Sequence, residues 1–351
     1  MRECPLVIMV TASASIGPRS ELRVDPLTGQ DVIFAPARSG RPHLPTARAG
    51  MTPERDPGCP LCPGNEHETP AAILTVAGAD RLEPWALRVV PNLYPIVSPA
   101  VTGTTGTGPL FRGRPVTGIH ELVVETPLHD KDLPDREQKK VQLLFEVLQA
   151  RLRHLAARPS TRYVVIFKNK GIEAGTSLHH PHSQIVALDF VPDAVRHRVQ
   201  IARRFHAESG NCLLCSIVDE ERRAGARIVF ESDGFVAFAP YASGSAGEAL
   251  LVPLQHAPSF TTTPAVVCER LGRSLVALLR RTREAFADPA YNLVLHTAPK
   301  RWLADPALHW YWQITPRLTR AAGFELGTGL VINSLAPEEA AAALRDAPGR
   351  G

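Results

Sequence analysis

Apolar residues follow two different periods along this chain, and the periods take turns. Between Asp135 and about Ala157, the residues Val141, Leu144, Val147, Leu148 and Leu152 recur with helical spacing. Ala265 to about Ala287 repeats that rhythm, and further helices are predicted over about Asp193–Ser209 and Pro337–Arg345. Short runs rich in β-branched and aromatic residues read as strands. They are two around a Pro/Thr/Gly turn within Glu21–Phe34, then Ala86–Val90, Glu121–Glu125, Tyr163–Asn169 and the run after His180. Gly234–Ala239, Glu248–Val252, Tyr291–His296 and the run from His309 follow. Gly323–Asn333 is expected as a glycine-rich last strand. Residues 1–20 carry no period and are expected to be a disordered tail. The Pro-, Gly- and Arg-rich stretch up to about Gly58 is expected to be an exposed loop.

The order of parts repeats. Each half shows a Cys-x-x-Cys pair, a strand leading to a His, a helix, a strand, a loop and His-x-x-x-Gln. The two histidines of each half, His129 and His180, then His256 and His309, lie roughly fifty residues apart, a spacing at the long end of structural repeats. The expectation is an α+β fold made of two antiparallel-sheet halves, each with packing helices. The first half spans 21–200 and the second 201–351.

Composition narrows the function classes. The chain is 44% hydrophobic and 21% charged, ordinary for a globular protein. Its net charge is +4 with no concentrated basic stripe, which argues against a nucleic-acid binder. No apolar run reaches membrane-spanning length, and the apolar start is shorter than a signal-peptide core. A cytoplasmic location is the expectation. Four of the six cysteines form two pairs, Cys59/Cys62 and Cys212/Cys215. In that compartment, this spacing suits metal ligands or redox groups better than structural disulfides.

Zinc takes four Cys or His ligands in a tetrahedron, and a Cys-x-x-Cys turn offers two thiolates at the right bite. The first half supplies Cys59, Cys62, His129 and His180; the second supplies Cys212, Cys215, His256 and His309. Four protein ligands leave no open position, so both sites would be structural.

The chemistry centres on Gly175-Thr-Ser-Leu-His-His-Pro-His-Ser-Gln184. Pro181 holds His180 extended, so His180, His182 and Gln184 share a face. With His180 on the metal, His182 is free to attack an activated phosphorus. Gln184 and Asn169 are candidates to hold phosphate oxygens, as are Ser177 and the backbone around Gly175. Arg38 and Arg41 are candidates to pair with a second phosphate. In the second half Tyr311 stands at the position of His182, while His309 and Gln313 persist. One active site per chain follows. His120 and His179 are read as bystanders, and Trp310 and Trp312 as core.

These residues resemble the galactose-1-phosphate uridylyltransferase family of the histidine-triad superfamily. The likeness runs from Arg23-Val-Asp-Pro-Leu-Thr-Gly29 to Gly323-Phe-Glu-Leu-Gly-Thr-Gly329. Between them it includes Cys59-Pro-Leu-Cys-Pro-Gly-Asn-Glu66, Val90-Pro-Asn-Leu-Tyr-Pro95, Glu125-Thr-Pro-Leu-His-Asp130, Phe167-Lys-Asn-Lys-Gly171 and His180-Pro-His-Ser-Gln184. The resemblance implies a duplicated histidine-triad-like fold and ping-pong transfer of a nucleotide through a nucleotidyl-histidine at His182. It places Asn92 at the nucleoside, and Asn169, Ser177, Gln184, Arg38 and Arg41 at phosphates. It implies a nucleotide sugar and a sugar 1-phosphate as substrates, zinc, and a homodimer whose active site is completed across the interface. Three departures stand out. Ser183 replaces the usual glycine, His309-Trp-Tyr311 replaces a second His-x-His, and Arg198 falls where some members place an acidic metal ligand. With Cys212 and Cys215, these features look like the two-zinc branch that includes plant ADP-glucose phosphorylase. UMP transfer between hexose 1-phosphates is the leading expectation and AMP transfer its rival. A non-catalytic zinc-knuckle protein and a nucleotide hydrolase are less favoured alternatives.

Overall fold

The apolar rhythm of the sequence becomes one large sheet with helices on it. The computed structural model describes residues 20–40, 55–78, 83–99, 110–111 and 113–349. The expected tail up to residue 19, Arg41 and most of the loop before Gly58 lie outside these residues. The strands are β1 (Glu21–Val24), β2 (Asp31–Phe34), β3 (Leu74–Ala77), β4 (Trp85–Pro91), β5 (Gly118–Val124), β6 (Tyr163–Lys170) and β7 (His182–Leu188). They continue as β8 (Ile228–Ser232), β9 (Phe235–Phe238), β10 (Ala249–Pro253), β11 (Tyr291–His296), β12 (Tyr311–Pro316) and β13 (Val331–Asn333). The helices are α1 (Gln138–Ala157), α2 (Asp193–Ser209), α3 (Leu213–Ala224), α4 (Ala265–Ala285), α5 (Gly323–Thr328) and α6 (Pro337–Asp346). No described helix is long and apolar enough to cross a membrane.

Ten strands pair in the order β3-β4-β5-β7-β6-β11-β12-β10-β9-β8. Read from the middle outwards, the order is the same on both sides, with β6 answering β11, β7 answering β12, β5 answering β10, β4 answering β9 and β3 answering β8. The duplication is therefore a two-fold about the β6–β11 seam, where Asn292 pairs with Asn169 and Val294 with Phe167, antiparallel. The two expected half-sheets are joined into one.

The helices α1 and α4 sit between the third and fourth strands of each half and pack on one face of this sheet. Their buried stripes, Val141, Leu144, Leu148 and Leu152 on α1 and Leu271, Leu275 and Leu278 on α4, join Val123, Ile166, Leu293 and Ile314 in one core. The helices approach closely at Gly272, where an added Cβ would lie 3.1 Å from Val141 Cγ1. Trp310 and Trp312 belong to this core. On the other face, α3 covers part of β9, β10 and β12, and the Cys59–Cys62 turn packs on Trp85 and Val124. Between them Val165, Phe167 and Asn169 of β6 remain partly exposed.

The expected strand over Gly323–Asn333 is a correction. Residues 323–328 form α5. Glu325 accepts the Ala322 N–H at 2.9 Å, Gly329 ends the helix with φ 73°, and only then does β13 begin. β13 pairs parallel with β2 in a separate three-stranded sheet, order β1-β2-β13.

Candidate active site and metal centres

Two tetrads of ligand atoms form where the sequence places them. The ligand atoms of Cys59, Cys62, His129 and His180 lie within 4.8 Å of one another, as do those of Cys212, Cys215, His256 and His309. In the first, Cys62 Sγ is 3.4 Å from His129 Nδ1 and 3.5 Å from His180 Nδ1. In the second, Cys215 Sγ is 3.5 Å from His256 Nδ1 and 3.4 Å from His309 Nδ1. A tetrahedron with ordinary Zn–S and Zn–N bonds has S···N edges of about 3.5 Å, so the residues fit a four-coordinate ion. The electrostatics agree. Burial pushes the Cys59 thiol up to about 11 and holds His180 down to about 4. A divalent cation reverses the first and takes the neutral imidazole it needs.

The first tetrad anchors the residue beside it. His180 Nε2 donates to the Thr126 carbonyl at 2.7 Å, fixing the ring behind its ligand nitrogen. Two residues on, His182 opens β7 and is buried, with Nδ1 2.8 Å from its neighbour's carbonyl, His180 O. That bond makes Nδ1 the protonated nitrogen and leaves Nε2 with a lone pair. Burial keeps the imidazole below its usual pKa, so it is neutral near pH 7.

Gln184 follows on the same face. Its Oε1 accepts from His120 Nε2 at 2.9 Å, so its amide NH₂ is free to donate. His120 is held in turn: its Nδ1 accepts from the Ile96 N–H at 3.3 Å, and Asn92 Nδ2 lies 3.2 Å away. Burial lowers the His120 pKa, in keeping with this neutral tautomer. His120, read from the sequence as a bystander, is thus hydrogen-bonded to Gln184. Its signal was present in the sequence, since it alternates with Leu122 and Val124 on the His182 face of β5, next to β7. Asn169 Oδ1 accepts from Asn292 Nδ2 at 2.8 Å across the seam, which again leaves an amide NH₂ to donate. The loop before His182 turns at Gly171 (φ 85°) and Gly175 (φ 86°). There the Gly175 and Thr176 N–H groups close the loop onto Ile172 O and Gly171 O, and Ser177 is exposed. Arg38 lies elsewhere. It follows β2 in the small sheet, which Asn333 and Tyr241 tie to C-terminal residues. No hydrogen bond or ion pair joins it to His182, Gln184 or Asn169 among the described residues.

Under His182, on the α1 face, lies a buried ionic cluster. Lys168 Nζ is 3.0 Å from Glu125 Oε2 and 3.0 Å from Asp132 Oδ1. Ser183 Oγ donates to Glu125 Oε1 at 2.7 Å, and Tyr291 OH to Asp132 Oδ2 at 2.7 Å. Burial alone would raise Asp132, but Lys168 and the Tyr291 hydroxyl bring it down to about 2. Lys168 stays charged because the two carboxylates outweigh its burial.

The comparisons with known proteins decide the family. A family model described as galactose-1-phosphate uridyl transferase, N-terminal domain, matches residues 13–192. The chain is 34% identical over 334 residues to ADP-glucose phosphorylase of Arabidopsis thaliana, covering 93% of this chain and 92% of that one. The chain belongs to the galactose-1-phosphate uridylyltransferase family. It is 28% identical over 336 residues to galactose-1-phosphate uridylyltransferase of Thermotoga maritima, covering 93% and 98% of the two chains. Among solved structures, ADP-glucose phosphorylase from Arabidopsis thaliana with bound ADP-glucose superposes with a TM-score of 0.79 at 32% identity, covering 94% and 99%. A structure of uridylyltransferase superposes with a TM-score of 0.72 at 29% identity, covering 94% and 98%.

In this family member the sheet register gives a position-by-position contrast between halves. β7 and β12 answer each other, so Tyr311 takes the place of His182 and Trp312 that of Ser183. By the pairing, Leu295 answers Lys168 and His296 answers Asn169. Where the first half buries Ser183 and Lys168, the second buries a tryptophan and a leucine. Gln313 answers Gln184 but is tied at both ends. Its Oε1 is 2.6 Å from His296 Nε2, and its Nε2 donates to Glu248 Oε1 at 2.7 Å. Among the described residues, the positions that answer His182 and Gln184 in this half therefore hold a tyrosine and an engaged amide.

Proposed function

We propose that the protein is a nucleotidyltransferase that moves UMP from UDP-glucose to galactose 1-phosphate through a nucleotidyl-histidine at His182. The observation that carries this reading is the Nδ1–H bond from His182 to its neighbour's carbonyl, which presents a bare Nε2 beside the donor amide of Gln184. Nε2 would form a bond to the α-phosphorus as the P–O bond to glucose 1-phosphate breaks. The leaving group departs as an anion, so no proton has to move. A phosphate oxygen of galactose 1-phosphate then attacks the same phosphorus and frees Nε2. Gln184, Asn169 and Ser177 would hold the phosphate oxygens as charge redistributes, on a loop that Gly175 shapes with its N–H given to Ile172 O. Asn92, packed on His120, would meet the nucleoside.

Zinc is the ion proposed for both tetrads, with a structural role: Cys59, Cys62, His129 and His180 would hold the His180–His182 turn, and Cys212, Cys215, His256 and His309 would pin α3 to the loops after β10 and before β12. Arg38 and Arg41 are proposed to act on a second copy's substrate in a homodimer, because the small sheet carrying Arg38 is packed on C-terminal residues away from β7. The setting proposed is the cytoplasm.

One observation favours a second reading, transfer of AMP. Both the 34% identical relative and the structure with TM-score 0.79 are ADP-glucose phosphorylases. Mass spectrometry of zinc-loaded protein mixed separately with UDP-glucose and ADP-glucose tests both. A uridylyl adduct on His182, absent from His182→Ala, is the expected result. An adenylyl adduct alone selects the second reading, and no adduct with either donor removes both.

A further inference from the structure

A cavity of about 70 Å³ lies in the second half, between α2 and the sheet face of β11 and β12. One water needs about 10–15 Å³ on the same measure, so the space takes more than a single solvent molecule. Its walls are largely apolar, with Val195, Val199 and Leu308 among them, and Arg198, His296 and His309 interrupt that lining. These three polar groups are short of partners. His309 is 9% exposed and its Nε2 has no hydrogen-bond partner among the described residues. Its Nδ1 faces the cysteines, 3.4 Å from Cys215 Sγ. With Nδ1 given to a metal, Nε2 carries the proton and is an unused donor. The matching nitrogen of the first half, His180 Nε2, does have an acceptor, the Thr126 carbonyl. His296 Nδ1 is buried and partnerless too. Because His296 Nε2 donates to Gln313 Oε1, Nδ1 is a bare lone pair. Arg198 is half-buried, and no hydrogen bond or ion pair engages it among the described residues.

A cation, an N–H donor and a lone pair facing one small space define a ligand. It must be anionic, accept hydrogen bonds on several sides and give one. We propose that this cavity binds inorganic phosphate, with Arg198 and His309 Nε2–H donating to its oxygens and His296 Nδ1 accepting the proton it keeps near neutral pH. Sulfate has the same shape and charge but no proton to give. The site is separate from that of His182. Tyr311 stands three strands from His182, roughly 14 Å at ordinary strand spacing, and α2 roofs only the second.

The test is titration calorimetry of the zinc-loaded full chain with phosphate and, in parallel, with sulfate. Wild type and His182→Ala are expected to show a saturable phosphate event. Arg198→Met is expected to weaken it at least about tenfold while keeping its zinc content, and sulfate is expected to bind at least about tenfold more weakly than phosphate. Ala202→Phe, which fills the cavity from α2 without changing charge, is expected to abolish the event, and it decides the matter should Arg198→Met fail to fold. Unchanged phosphate binding in either cavity variant overturns the proposal. So does the absence of a saturable event in His182→Ala, or sulfate binding as tightly as phosphate. The readout is heat of binding, so failure here leaves the nucleotidyl-transfer reading as it was.

Discussion

Lys168 shows what a single side chain costs and does. It is 2% exposed between Glu125 and Asp132, and breaking a buried pair by removing one partner leaves an uncompensated charge. Lys168→Met is expected to destabilise the protein by about 3–5 kcal/mol in urea melts. Ser183→Gly restores the residue that the resembled family usually carries. It removes only one hydrogen bond to a carboxylate, expected to cost about 1.5–3 kcal/mol. Glu248 makes a pH prediction. Burial raises its carboxyl to about 7, whereas unfolded it titrates near 4.5. The folded state therefore binds the extra proton between those values, and this group's contribution falls as pH rises from about 4.5 to 7. The loss is up to about 3 kcal/mol. Melts of wild type and Glu248→Gln at pH 5 and pH 8 check it, and the variant is expected to show the flatter profile. The residues of the two Cys₂His₂ groups were legible in the sequence because cysteine and histidine announce such clusters through spacing. The roles of His120, Glu125 and Lys168 were not, since strand pairing and burial create them, and neither is written in local order.

At the level of elements, α1 and α4 emerge from the sequence with ends within a few residues, because each buries a continuous stripe; α2 emerges as well, although it buries only Val195 and Val199. The misses have physical reasons. The pair Cys212/Cys215 reads as a knuckle and hides α3, whose first residues follow Cys212 directly. β3 and β8 are short outer strands, β3 with mostly exposed side chains and β8 with only Val229 buried, so they carry little apolar signal. α5 is set by a cap and a left-handed glycine rather than by a periodic face. The knuckles are expected to separate function from structure. Cys59→Ser should lose one equivalent of metal together with adduct formation at His182, whereas Cys212→Ser should lose one equivalent and keep adduct formation in the fraction that stays folded. Metal analysis beside intact-mass spectrometry reads both. The loop before His182 depends on Gly171, where φ is 85° and a Cβ would lie 2.7 Å from Ala290 Cβ. Gly171→Ala is expected to strain that turn by about 1–3 kcal/mol, seen as slower adduct formation in a chain that still binds two metals.

Seen whole, the molecule rests on the register between β6 and β11. Each of these strands would be an edge if the halves stood apart, with an unpaired row of backbone groups inviting association. Each instead closes the other, and the contact is self-complementary in the way a symmetric dimer contact is. Such a seam does not need a peptide bond across it. A chain opened at Gly210, on the exposed turn between α2 and α3, should therefore yield two polypeptides that are aggregation-prone singly and recombine when co-expressed. The seam would then work as the latch of a two-piece enzyme, whose output depends on both pieces meeting in one cell.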